Sequence, residues 1–172
     1  MRFILSLTIF MLCMTLTSNE LVTVSEVNLE KYSGQWHEFA RYPNRFQKNC
    51  KTSTARYTIL NNNKIEVYNE CIDNNNHLKN VKGKAWLANK NDTAKLKVSF
   101  FWPFSGNYWI IGLDNDYQWA IVSEPKKKYL WILTRESDIS IEDWIQIESI
   151  LNHYNFDIQK LIFSYNVVEG KD

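Results

Sequence analysis

The chain has 172 residues, 45% hydrophobic and 15% aromatic, with a formal net charge of +1. That length supports one well-buried domain rather than two. Arg2 is the only charge in an apolar leader, so the remainder is formally neutral and lacks the basic field that a nucleic-acid partner requires.

The chain opens with Met1-Arg2 and an almost unbroken apolar run from Phe3 to Leu16, followed by the small residues Thr17 and Ser18. Residues 1–18 read as a secretory signal peptide, which leaves residues 19–172 as a single exported domain. The run is short of the roughly 20 apolar residues of a membrane span. Bulky Phe10, Met11 and Leu12 just before Cys13 argue against a lipid anchor on that cysteine.

The first strong strand pattern is Tyr32–Tyr42. Gly34 opens it, and alternation places Trp36, Glu38 and Ala40 on one face and His37, Phe39 and Arg41 on the other. A polar stretch, Pro43 to Asn49, reads as a loop of the kind that flanks binding sites. Further strands are expected over Lys51–Leu60, Lys64–Ile72, Val81–Ala88, Leu96–Phe101, Tyr108–Leu113, Tyr117–Ser123 and Tyr129–Thr134, with Asn-, Asp- and Pro-rich turns such as Asn61-Asn62-Asn63 between them. Eight short strands joined mainly by short turns predict an all-β, antiparallel sandwich or up-and-down barrel.

The period changes after Arg135. Ser140 is a candidate N-cap, with Glu142 and Asp143 in the first turn where negative charge suits the helix dipole. The stripe Ile141, Trp144, Ile145, Ile147, Ile150 and Leu151 predicts a C-terminal helix packed on the outside of the sheet. Leu161–Val167 reads as a short ninth strand.

Cys50 and Cys71 are the cysteines left after cleavage. An even pair in an exported chain favours a disulfide, here near the open end of a hairpin. A metal pair is the weaker reading, because two cysteines do not fill a zinc site.

The inward faces mix small residues (Ala55, Gly83, Ala85, Ala120) with aromatic ones (Tyr57, Phe100, Tyr108, Trp131). An eight-stranded barrel can fill with side chains or hold one small ligand. The small residues either leave room or interlock with the rings and leave none. Catalytic chemistry is thin. His37, His77 and His153 have no Ser or Cys beside them in a nucleophile arrangement. The Asp114-Asn115-Asp116 turn lacks the other ligands of a calcium loop. The chain reads as a non-enzyme with no catalytic residue, no metal and no cofactor.

Three strings carry a family resemblance. Gly34-Gln35-Trp36-His37-Glu38-Phe39-Ala40-Arg41 fits a G-x-W motif with a following E-x-A-R. Leu113-Asp114-Asn115-Asp116-Tyr117 fits a second motif at the turn between the sixth and seventh strands. Leu130-Trp131-Ile132-Leu133-Thr134-Arg135 fits a third, an Arg closing the eighth strand. From about Leu29 to Val167 the chain resembles the lipocalins, closest to the bacterial lipocalin and apolipoprotein D branch, although His37 replaces the usual Tyr.

The resemblance implies an eight-stranded antiparallel up-and-down calyx with a C-terminal helix and a short ninth strand. Trp36 and Arg135 are then structural residues, stacked at the closed end, and the Cys50–Cys71 bridge has counterparts in the branch. It also implies binding, storage or transport of a fatty acid or lysophospholipid, in the periplasm or at the outer membrane, with secretion open. A pigment, haem or sterol-like ligand is the alternative. Wall contacts are expected from Tyr57, Ile59, Val67, Asn69, Ala85, Val98, Phe100, Tyr108, Ala120, Val122, Trp131 and Leu133. A bulge in the sixth strand would exchange Tyr108 and Ile110 for Trp109 and Ile111. Arg45, Lys48 and Tyr68 are head-group candidates at the mouth. A homodimer and association with a membrane surface stay open.

Overall fold

The computed structural model describes residues 20–60, 64–165 and 167–168; the leader with Cys13, the Asn61-Asn62-Asn63 turn and Asn166 lie outside the described residues. Alternating side chains give each strand one apolar face, and closing the sheet buries that face without leaving a free edge. Eight strands do so: β1 (Gly34–Arg41), β2 (Cys50–Leu60), β3 (Lys64–Asp73), β4 (Leu78–Asn89), β5 (Asp92–Phe101), β6 (Phe104–Leu113), β7 (Trp119–Ser123) and β8 (Leu130–Thr134). Neighbours pair antiparallel, and β1 pairs with β8 to close the barrel. Gly34, Leu60, Asn89, Leu113 and Thr134 mark one end, and Arg41, Cys50, Asp73, Phe101 and Leu130 the other.

A short helix, α1 (Leu29–Tyr32), lies next to the first of these ends. Ahead of it the chain is strapped down by Val24 N–H donating to Ile110 O (3.0 Å) and Val27 N–H to Thr93 Oγ1 (2.7 Å). The Arg135 guanidinium lies over the fully buried Trp36 ring, Cζ 3.7 Å from its centroid. It also donates to the carbonyls of Lys31 (2.6 Å), Gln35 (2.8 Å), Ser33 (3.0 Å) and Tyr117 (3.2 Å). One cation thus ties α1, the start of β1 and the β6–β7 turn to the end of β8. Gly34 has φ +95°, a backbone conformation that favours glycine, and a Cβ there would be in ordinary contact, 3.4 Å from Arg135 Nη1.

The expected faces of β1 hold only as far as Phe39. The register against β8 runs Glu38↔Leu133 and then Ala40↔Ile132, so one extra residue is inserted. This bulge reverses the alternation. Ala40 joins Phe39 in the outer core, and Arg41 turns into the barrel beside Trp131, its register partner.

Two cores result. Inside the barrel lie Trp36, Tyr57, Ile65, Val67, Ala85, Leu96, Ile110, Ala120, Val122 and Leu133. Outside it, Phe39, Ile111, Trp119, Ile121, Leu130 and Ile132 meet the C-terminal segment. There a two-residue strand, β9 (Ile139–Ser140), leads into α2 (Ile141–His153), with Ser140 Oγ accepting from Asp143 N–H at 3.1 Å as a cap. Ile147 and Leu151 are buried and Trp144 and Ile150 packed, but Ile141 and Ile145 are exposed. At 100° per residue those two fall beyond the edge of the Trp144–Ile147–Leu151 face. The ninth strand is β10 (Ile162–Phe163), added to β1 outside the barrel; the chain then continues as β11 (Val167–Val168), parallel to β9.

Cys50 and Cys71 form a disulfide that joins β2 to β3 at the open end. Its reduction should cost about 3 kcal/mol on the loop-entropy model, measured by urea unfolding with and without reductant. Trp36→Ala should cost about 3–5 kcal/mol, because a large and fully buried ring is lost. Unchanged urea midpoints in either experiment would contradict these assignments.

Candidate ligand-binding site

Next to the Trp36–Arg135 lock, Tyr32, Tyr57 and Tyr108 converge from α1, β2 and β6, with the Tyr32 ring 5.1 Å from Trp36. Their hydroxyls form a chain, Tyr32 to Tyr108 at 2.7 Å and Tyr108 to Tyr57 at 2.9 Å. Burial raises all three phenols, Tyr57 to about 12, so they remain neutral hydrogen-bonding groups at physiological pH. Between them and Ile65, Val67, Ala85, Leu96 and Val98, the void is about 10 Å³, room for one water-sized group. The lower calyx is filled by this floor.

Higher up, the inward apolar side chains become accessible. Val98, Phe100 and Trp131 are only half-buried although they point into the barrel. Phe100 lies against β4 because position 83 is glycine: a Cβ there would be 2.6 Å from its Cδ1. At this position a small residue and an aromatic ring interlock.

A polar cluster stands on one side of the mouth. Arg41, 3% exposed, donates to Glu38 Oε1 (2.9 Å) and to the carbonyls of Cys50 (2.9 Å) and Gln47 (3.2 Å). The β1–β2 ladder has ended by this point, at His37↔Thr54, so Arg41 bridges strands that no longer pair. Gln47 reaches down from the 42–49 loop: its Nε2 donates to Glu38 Oε2 and Ser53 Oγ, and its Oε1 accepts from Trp131 Nε1 (3.0 Å). Burial pushes the Glu38 carboxyl up, and the hydrogen bond from Gln47 and the Arg41 charge oppose that rise. Asn69 also faces inward, one diagonal step from Ser53, and its buried Oδ1 has no hydrogen-bond partner.

The expected wall residues separate accordingly. Val67, Ala85, Ala120, Val122 and Leu133 are buried in the inner core, with Tyr57 and Tyr108 in the floor. Asn69, Val98, Phe100 and Trp131 line the accessible part. Ile59 borders the same void as the tyrosines from the closed end, 41% exposed near Leu29, because it lies one residue from the end of β2. The sixth strand presents Tyr108 and Ile110 inward and Trp109 and Ile111 to the outer core; its bulge falls at Ile111, between Ile110 and Gly112, so the inward pair is not exchanged. Tyr68, expected at the mouth, lies on the outer face instead, with Lys82 Nζ 5.6 Å from its ring centroid. Arg45 and Lys48 are exposed in the loop. All three histidines are outside the barrel: His37 stands against Tyr165, His77 in the β3–β4 turn and His153 at the end of α2. Sequence reasoning missed Arg41, Glu38 and Gln47. Two charges on a strand that otherwise buries its residues were the available signal.

A closed eight-stranded calyx, locked at one end by a Trp–Arg stack and flanked by one helix, is the lipocalin architecture. The chain belongs to the lipocalin family: residues 27–166 match the family model of the lipocalin-like domain. It is 37% identical over 151 residues to temperature-induced lipocalin-1 of Arabidopsis thaliana, covering 83% of this chain and 81% of that one. It is 37% identical over 141 residues to the outer membrane lipoprotein Blc of Citrobacter freundii (81% and 80% covered). Apolipoprotein D of Macaca fascicularis is 30% identical over 138 residues (76% and 72% covered). Among solved structures, insecticyanin from the tobacco hornworm Manduca sexta superposes with a TM-score of 0.67 at 22% identity, covering 82% of each chain, which shows the fold.

Removing one member of the Glu38–Arg41 pair should cost more than removing both. Arg41→Met should lose about 3–5 kcal/mol, and Glu38→Gln/Arg41→Met should recover most of that, read by urea unfolding. The pH dependence has a definite sign. A carboxyl raised in the folded state binds its proton there more tightly than in the unfolded chain. Stability therefore falls as pH rises from the ordinary carboxylate value through the raised one. Glu38→Gln should flatten that slope, as measured by unfolding free energy against pH.

Proposed function

We propose that this protein is a non-enzymatic carrier that binds a single-chain lipid, a fatty acid or a lysophospholipid, in the upper calyx. One observation carries the reading: apolar wall residues stay accessible inside a closed barrel, above a floor with almost no free space. An alkyl chain entering from water gains about 0.8 kcal/mol per buried CH₂, offset by the freedom it loses. Val98, Phe100, Trp131 and Asn69 are the wall it meets first. Arg45 and Lys48 are exposed on the 42–49 loop at the open end and are the cations offered to an anionic head group. A chain reaching deeper has to displace the tyrosine floor.

The Cys50–Cys71 bridge supports an exported protein, because disulfides persist in oxidising compartments. Similarity to an outer membrane lipoprotein supports a place in a bacterial envelope. Haem is disfavoured as a ligand, because no histidine enters the barrel.

Titration with lysophospholipid should give a saturable change in tryptophan fluorescence at about one ligand per chain, and Trp131→Phe should remove most of the signal from a folded protein. Folded, delipidated protein that responds to no long-chain lipid would overturn the reading. A visible absorption band on the purified protein would transfer it to a pigment.

A further inference from the structure

The open end carries apolar side chains that neither the barrel nor the helix uses. At the β5–β6 tip Phe101, Trp102 and Phe104 are 72%, 85% and 78% exposed. Leu78, next to the β3–β4 turn, is 62% exposed, and Phe46, in the 42–49 loop, 65%. These tips belong to three different hairpins on the same rim. Isolated exposed apolar residues are ordinary, whereas a concentration of large aromatic ones on a single rim marks an interaction surface.

Charge sets the kind of partner. Arg45 and Lys48 in the 42–49 loop and Lys126 and Lys128 in the β7–β8 turn are exposed on this rim. Glu124, in the same turn, directs its carboxylate to the N–H groups of Lys126 and Lys128, and Asp73 is held by Lys79. The opposite, closed end carries Asp114 and Asp116 in the β6–β7 turn together with exposed Lys64 and Lys90, and Asp92 there is paired with Lys95. The mouth of a formally neutral molecule thus carries a local basic excess.

The basic and aromatic side chains are interleaved. Arg45 lies over the Phe46 ring (5.0 Å), Phe46 meets Tyr129 (6.1 Å), Lys128 lies over Tyr129 (5.6 Å) and Tyr129 stacks on Trp131 of the calyx wall (5.8 Å). The rim is therefore continuous with the wall the ligand would line.

We propose that the open end is a membrane-docking face that seats on a bilayer surface containing anionic phospholipid. Trp and Phe partition to the boundary between head groups and acyl chains, and the lysines and arginine meet the negative surface potential. Seated this way, the mouth opens onto the lipid, and a chain can pass between bilayer and calyx without crossing bulk water. The docking face does not depend on which ligand the calyx takes.

The test uses purified protein with sedimented vesicles of phosphatidylcholine alone, or with about a quarter phosphatidylglycerol. Wild type should bind the anionic vesicles and lose that binding as salt is raised. Trp102→Ser/Phe104→Ser should weaken vesicle binding about tenfold or more, with thermal stability and fluorescence titration by monomeric lysophospholipid unchanged. Lys126→Glu/Lys128→Glu should remove the preference for anionic vesicles. Equal vesicle binding by wild type and the tip variant would overturn the proposal. So would wild type that binds no vesicle while the tip variant turns a dimer into a monomer in sedimentation, which would make this rim a contact between copies of the chain.

Discussion

The barrel depends on one stacked cation. Arg135 lies on Trp36 and gathers carbonyls from α1, the start of β1 and the β6–β7 turn. A stack of this kind contributes about 0.5–2 kcal/mol by itself. Its larger effect is geometric. The carbonyls it collects come from segments that no β ladder joins, at the end where the first and last strands must meet. With that end fixed, the tyrosine floor has a base to rest on, and the wall above can stay open to solvent.

The second constraint is the bulge near Phe39. A regular β1 would have placed Ala40 inside and Arg41 outside. One inserted residue exchanges them, so a charge enters the barrel at the height where β1 and β2 part. There the guanidinium replaces ladder hydrogen bonds with side-chain ones and holds the 42–49 loop through Gln47. Glu38 makes this tolerable by pairing with the charge, and its own raised carboxyl reflects the cost of burial. The arrangement stabilises the mouth locally while keeping polar groups at the threshold of an apolar cavity.

Much of the architecture was legible in the chain because period-2 alternation is a strong signal wherever one face of a strand is buried. The eight strands, the Ser140 cap, the Cys50–Cys71 bridge and the Trp36–Arg135 contact all rest on local pattern or on motif order. Two departures share one cause. Arg41 and the Ile141–Ile145 edge of α2 depend on where an element stops or slips relative to its neighbour, and nothing local encodes that. Tyr68 is different: its outward face follows from alternation with the inward Val67 and Asn69. The tyrosine floor was half visible: Tyr57 and Tyr108 were on the inward face, but Tyr32 joins them only because α1 packs at the closed end.

That floor has a further consequence. Two hydroxyl bonds and three rings stand at a fixed depth, and the void they border is about 10 Å³. For the single-chain lipid proposed above, a short chain would stop at the rings and leave them undisturbed, whereas a longer one would have to open them, and the energy of doing so would be subtracted from what its extra methylenes contribute. On that reading the trio would act as a depth gauge, with affinity rising with chain length up to a set number of carbons and then levelling off.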